Sequence, residues 1–150
     1  MTLRLLCLPL FAALLLAGCD RVDPDSPLGK RKAIYQAMLD TKEDLGGMLR
    51  GRIPFDGTAF TSGAAKLDEL SRQPWQHFPQ VREEAGDSQA RDEVWQRQER
   101  FQELARALEA DTAALVEVTT AGPVTAERVA PAFQRVEDAC EACHKEFRAY

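Results

Sequence analysis

The C-terminal segment Val129 to Phe147, VAPAFQRVEDACEACHKEF, carries the pattern that decides the fold. Its apolar and sulfur side chains follow one another at steps of four, three, four, three and four residues: Val129, Phe133, Val136, Cys140, Cys143 and Phe147. This spacing is typical of one face of an amphipathic helix that packs against a core. The segment therefore predicts a C-terminal helix whose two cysteines face the interior of the protein.

The same helix contains Cys140-Glu141-Ala142-Cys143-His144, which has the spacing of a c-type haem attachment site. Each thiol can form a thioether with a haem vinyl group, and the adjacent imidazole can ligate the iron. Three alternatives fit less well. A zinc site needs more ligands, a redox dithiol normally opens a helix after a strand, and a disulfide within one helical turn is strained. We expect one covalent haem c with His144 as axial ligand.

The rest of the chain shows helical spacing and no alternation with a period of two. Gly51, Pro74 and Gly122-Pro123 mark ends of helices, and Pro131 predicts a kink or a restart within the last one. Four amphipathic helices with short connections predict an all-α antiparallel four-helix bundle. The expected helices are about 29–50, from Asp56 or Thr58 to before Pro74, about 90–119, and from Thr125 to the C-terminus, with a long loop from Trp75 to Ala90.

The N-terminus has the pattern of a bacterial export signal. One charge, Arg4, precedes an apolar run from Leu5 to Leu16 that is too short to span a membrane. The ending Leu16-Ala17-Gly18-Cys19 resembles the lipobox of bacterial lipoproteins. We expect residues 1–18 to be a signal peptide, lipidated Cys19 to begin the mature protein on the periplasmic side of a membrane, residues 19–28 to form a flexible tether, and residues 29–150 to form one domain.

The formal net charge of −5 becomes more negative when the leader with Arg4 is removed. An acidic surface argues against a nucleic acid as partner and against charge-driven adhesion to anionic lipid. It favours a basic or neutral protein partner. The membrane contact that we expect is therefore the lipid on Cys19.

Two further motifs accompany the C-terminal one, in which Phe147 and Arg148 follow His144. Arg50 to Asp56, RGRIPFD, joins the first two helices, and Pro74-Trp75 precedes Phe78. With these motifs the chain resembles the class II c-type cytochromes, the cytochrome c prime family, over about Lys30 to Tyr150. The resemblance implies a four-helix bundle with one haem c, and often a homodimer formed through the first two helices.

The resemblance also implies the residues around the haem. Arg31 is expected to meet a propionate, Tyr35 to cover the distal face of the iron, and Arg148 to lie near His144. Met38, on the same helix face as Tyr35, is the alternative sixth ligand. Met48 and His77 are further candidates, for which a core methionine and a loop histidine are the simpler interpretations.

These residues predict a cytochrome that transfers electrons, binds NO or CO, or does both, in contact with a redox partner protein. Five-coordinate iron beneath Tyr35 is expected, whereas ligation by Met38 would give a low-spin electron-transfer protein. An enzyme such as a peroxidase is not expected, because the first helix has no histidine or evident acid–base pair to face the iron. The remaining alternative is a structural lipoprotein without haem.

Overall fold

The computed structural model describes residues 22–82 and 88–150, so the segment with Cys19 and the leader lies outside the described residues. The described residues form helices joined by turns and loops, and their one β contact is an isolated antiparallel bridge between Ala90 and Arg148. The all-α prediction is confirmed. The helices are α1 (Pro27–Leu49), α2 (Gly57–Ser71), a short α3 (Glu93–Gln96), α4 (Gln98–Thr120) and α5 (Ala126–Phe147), with a 3₁₀ turn at Trp75–His77.

Polar side chains cap three of the four long helices. The Ser26 hydroxyl accepts a hydrogen bond from the Gly29 amide at 3.0 Å, and the Asp56 carboxylate accepts bonds from the Thr58 and Ala59 amides at 2.8 and 3.0 Å. Thr125 caps α5, as expected. Each cap satisfies amide groups that have no partner within the helix, so the start of the helix is encoded locally.

The four long helices pack in sequence around one core. α1 packs against α2, α2 against α4, and α4 against α5, whereas α1 and α5 make little contact. The main cluster of buried side chains includes Phe60 of α2 and Phe133 of α5, whose ring centroids are 6.3 Å apart. The bundle is therefore least closed between α1 and α5, the side on which the motif helix faces the first helix.

A second cluster lies at the end of the bundle where α5 finishes. Its buried members are Val94, Phe101, Leu104 and Phe147. Trp75 and Phe78 pack against this cluster, and Trp75 also packs against the main one. The connection between α2 and α4 therefore covers the end of the bundle nearest the cysteine motif.

Three boundaries differ from the sequence predictions. α1 begins at Pro27, inside the expected tether, because Ser26 caps it and Leu28 is buried. The expected third helix is interrupted at Arg97, where the backbone (φ −126°, ψ 50°) separates α3 from α4. α5 continues through Pro131 as one helix. The start of α1 reflects a local cap that the spacing did not reveal, whereas at Arg97 and Pro131 tertiary packing outweighs the local signal.

No helix within residues 22–82 and 88–150 has the length and apolar content needed to cross a membrane.

Candidate haem site

Cys140, Cys143 and His144 lie in the last two turns of α5. The two thiols are half-buried and form no disulfide, and their side chains reach different clusters. Cys140 packs against the main core, whereas Cys143 packs against the second cluster with Phe101 and Phe147. The cysteine pair therefore spans the junction between the two clusters, beside the side of the bundle where α1 and α5 barely touch.

Burial raises the pKa of the Cys140 thiol and raises that of Cys143 to about 11, where coupling to the ionisation of Cys140 and the negative charge of Glu146 add to the effect. Both thiols are therefore protonated at neutral pH. A redox dithiol needs the opposite, a thiol pKa lowered by a helix N-terminus or a cation. This environment disfavours the dithiol interpretation.

The imidazole of His144 lies at the surface of α5, next to two cations. Partial desolvation, followed by the charges of Arg148 and Lys42, lowers its pKa. The imidazole is consequently neutral at neutral pH and keeps a nitrogen lone pair, as iron ligation requires.

On α1, Tyr35 has a pKa that is influenced by both cysteines of the motif. Burial raises its pKa well above the usual range, the charges of Cys143 and Cys140 raise it further, and Arg31 opposes the shift. Its ring meets that of Trp75 edge-on, with centroids 6.4 Å apart. Tyr35 is therefore a neutral phenol on α1 that is near enough to both cysteines to be coupled to their ionisation, and it packs against the same main cluster as Cys140.

Met38 is buried in the main hydrophobic cluster, and Met48 packs against the same cluster. His77 lies half-buried in the 3₁₀ turn. These placements agree with core and loop roles for the three side chains.

Arg31 is almost fully buried, with 2% of its surface exposed. Its guanidinium donates a hydrogen bond to the His77 carbonyl oxygen at 2.6 Å and lies 4.2 Å from the centre of the Phe78 ring. Arg31 thus joins α1 to the 3₁₀ turn. The buried guanidinium of Arg31 is also suited to bind a carboxylate of a cofactor at this edge of the site.

Arg148 follows the last turn of α5, and its guanidinium donates two hydrogen bonds to the Gln89 amide oxygen, at 3.1 and 2.9 Å. Its charge still reaches His144. Two residues earlier, Glu146 accepts hydrogen bonds from Arg97 at 2.8 Å and from Arg100 at 2.9 and 3.1 Å. These contacts attach the end of the motif helix to the interruption before α4 and to residue 89.

Sequence reasoning missed Lys42, whose charge lowers the pKa of both Cys140 and His144. Its spacing of seven residues from Tyr35 places the two on one face of α1, and this signal was available in the sequence. Trp75 was recognised only as part of a family motif. Its contact with Tyr35 depends on how the 3₁₀ turn packs against α1, and the spacing of apolar residues in the sequence does not reveal that packing.

The donor set and its surroundings fit a haem c. Two thiols three residues apart and an adjacent neutral imidazole supply both attachment points and one axial ligand. The haem would lie on the side of the bundle where α1 and α5 barely touch. Tyr35 belongs to α1 on this side, and the buried guanidinium of Arg31 lies at its edge. No group of three or more His, Cys, Asp or Glu side chains in the described chain is arranged to hold a bare metal ion.

Comparison with known proteins gives the same result. The family model described as Cytochrome C' matches residues 26–148. A cytochrome c' from Rhodopseudomonas palustris (strain ATCC BAA-98 / CGA009) is 27% identical over 123 residues, which are 81% of each chain.

Solved structures share the fold. Cytochrome c prime from Shewanella frigidimarina has a TM-score of 0.78 at 24% identity, covering 87% of this chain and 100% of that one. Two mutants of cytochrome c prime from Alcaligenes xylosoxidans, one a nitric oxide complex and one with carbon monoxide bound, each have a TM-score of 0.74 at 22% identity. They cover 87% and 86% of this chain and 99% and 98% of their own. The chain therefore belongs to the cytochrome c prime family, whose members carry one covalently attached haem c.

Proposed function

We propose that the protein is a periplasmic, lipid-anchored cytochrome c prime in which His144 is the one protein ligand of the iron. Its role would be the reversible binding of NO or CO, electron transfer to and from a redox partner protein, or both. The observation that carries the proposal is the different placement of Tyr35 and Met38. Tyr35 is half-buried, packs at the margin of the main cluster as Cys140 does, and is coupled electrostatically to both cysteines, whereas Met38 is a buried member of that cluster.

Haem c supplies an iron that alternates between the ferric and ferrous states and binds diatomic gases. The roles of the chain follow from its contacts. Cys140 and Cys143 attach the group to α5, and His144 offers its neutral imidazole. Tyr35 would cover the opposite face of the group as a bulky neutral phenol, which a gas would have to displace. The nitric oxide and carbon monoxide complexes of the Alcaligenes relatives support gas as the class of ligand.

The chain offers no sign of a peroxidase-like distal site. α1 contains no histidine, and the α1 side chains with an electrostatic influence on the motif are Tyr35 and Lys42. Neither a phenol with a strongly raised pKa nor an ammonium group supplies a base at neutral pH. We therefore propose a binding and electron-transfer protein instead of an enzyme.

The absorption spectrum of the holoprotein tests the coordination. With His144 as the one protein ligand, the ferric and ferrous forms should both have high-spin spectra, and CO should change the ferrous spectrum at once. Sulfur ligation by Met38 would give a low-spin spectrum with a sulfur-to-iron band and no response to CO. That result would overturn the Tyr35 proposal and establish the electron-transfer alternative.

The anchor is tested separately by replacing Cys19, which lies in the lipobox-like sequence outside the described residues. The Cys19→Ser protein should leave the membrane fraction and appear in the soluble periplasmic fraction with its haem attached, because one lipidated residue links the domain to the membrane. Cys7→Ser, within the leader, is the matched control and should remain membrane-bound. Soluble wild-type protein, or membrane-bound Cys19→Ser protein, would contradict the anchor proposal.

A further inference from the structure

The two tryptophans of the chain differ in their hydrogen bonds. The indole nitrogen of Trp95 donates to the Pro79 carbonyl oxygen at 2.9 Å. The indole nitrogen of Trp75 is buried and has no hydrogen-bond partner within residues 22–82 and 88–150. Buried donors are nearly always paired in folded proteins, and an unpaired one costs free energy. The Trp75 N–H group therefore indicates an acceptor that does not belong to the described chain.

Trp75 stands where the 3₁₀ turn meets α1 and the second cluster. Its ring packs edge-on against Tyr35 at 6.4 Å and against Phe101 at 5.8 Å between centroids. Tyr35 packs against the same main cluster as Cys140, and Phe101 belongs to the second cluster, against which Cys143 packs. The unpaired donor is thus held at the edge of the haem site.

Arg31 brings positive charge to the same junction. It lies one turn before Tyr35 on α1 and binds the carbonyl of His77, two residues after Trp75. A buried guanidinium and a buried N–H donor on adjoining surfaces favour an anionic acceptor with more than one oxygen, such as a carboxylate. Haem c carries two propionate carboxylates.

We propose that the Trp75 indole nitrogen donates a hydrogen bond to a haem propionate at the edge of the site bordered by Arg31. Trp75 is then a cofactor-positioning residue, and it fixes the 3₁₀ turn over the haem edge. The proposal rests on the covalent haem and is independent of whether Tyr35 or Met38 faces the iron.

A buried water is the competing acceptor. A stable buried water normally makes about three hydrogen bonds. The Trp75 side chain packs against both hydrophobic clusters and against the rings of Tyr35 and Phe101, and such surroundings offer few acceptors. The surroundings therefore suit a carboxylate attached to a planar apolar group better than a water molecule.

Trp75→Phe in the holoprotein removes the N–H group and keeps an aromatic ring in contact with Tyr35 and Phe101. Trp95→Phe is the matched control, because it removes an indole whose partner is already the Pro79 carbonyl. Resonance Raman spectra of the haem should show a shifted propionate-bending band in Trp75→Phe and the wild-type band in Trp95→Phe. Loss of the donor also leaves more negative charge near the iron, so the reduction potential should fall in Trp75→Phe and remain unchanged in Trp95→Phe.

A measurement on the wild-type protein keeps the proposal testable even if Trp75→Phe fails to fold. In the ferrous CO complex, the two indole N–H signals can be assigned by comparison with Trp95→Phe. The Trp75 N–H proton should show a nuclear Overhauser effect to the propionate methylene protons. An unshifted propionate band in Trp75→Phe, or a Trp75 signal with contacts to water alone, would overturn the proposal and establish water as the partner.

Discussion

The Tyr35→Ala holoprotein should bind CO in its ferrous form roughly tenfold faster than wild type, or more, since each 1.4 kcal/mol removed from a barrier changes a rate about tenfold. In the proposed arrangement the phenol ring of the wild-type protein leaves its contact with Trp75 before a gas reaches the iron. Aromatic side chains bury a large apolar area, so this displacement is costly. Alanine removes that cost. Stopped-flow mixing of reduced protein with CO measures the rate directly.

Two control variants separate the causes. Tyr35→Phe keeps the ring without the hydroxyl group and should bind CO at nearly the wild-type rate if bulk is what slows entry. Leu39→Ala changes a neighbouring α1 side chain that is 47% exposed, and it should have no effect. Fast binding in Met38→Leu together with an unchanged rate in Tyr35→Ala would assign the obstruction to Met38 and contradict the proposed distal wall.

Phe133→Ala should produce the largest loss of stability, about 3–5 kcal/mol in the free energy of unfolding. Phe133 is 2% exposed and packs edge-on against Phe60, which is completely buried. Truncation leaves a cavity between α2 and α5 in addition to the lost transfer free energy of the ring. Guanidinium denaturation of the holoprotein, followed by far-ultraviolet circular dichroism, measures the change.

Phe133→Leu refills most of the cavity and should lower the free energy of unfolding clearly less than Phe133→Ala does. Val81→Ala, at a side chain that is 65% exposed, should leave the stability within about 0.5 kcal/mol of wild type. A loss of under about 1 kcal/mol in Phe133→Ala would show that this ring does not hold α5 against the core.

Much of the fold could be read from local features. Ser26 was not identified as a cap. Thr125 was the expected start of its helix, and Asp56 was one of two expected starts beside Thr58; both Asp56 and Thr125 cap their helices. The apolar stripe of α5 was also correct, since Val129, Phe133, Val136 and Phe147 are all buried. Caps and stripes involve residues within one or two turns of each other, so the linear sequence contains the whole interaction.

Interactions between distant segments could not be read in this way. The interruption at Arg97 accompanies its hydrogen bond to Glu146 and its position 5.7 Å from the Phe147 ring, contacts that connect α4 with the end of α5. Nothing in the apolar spacing from Val94 to Phe101 indicates the break. The hydrogen bond that Arg148 donates to Gln89 joins residues 59 positions apart, and nothing in the sequence near either residue predicts it.

The sequence by itself predicted the covalent chemistry, because two thiols and an imidazole within five consecutive residues need no other part of the chain to define an attachment site. The tertiary structure alone decided what surrounds those residues. It placed Tyr35 at the margin of the main cluster with Cys140 and made Met38 a buried member of it, although both lie on one face of α1. It also buried the Trp75 indole nitrogen with no hydrogen-bond partner among the described residues, near the turn that Arg31 joins to α1. The physical reason is that burial and charge at a point depend on every element that converges there, and such convergence is a property of the packed helices.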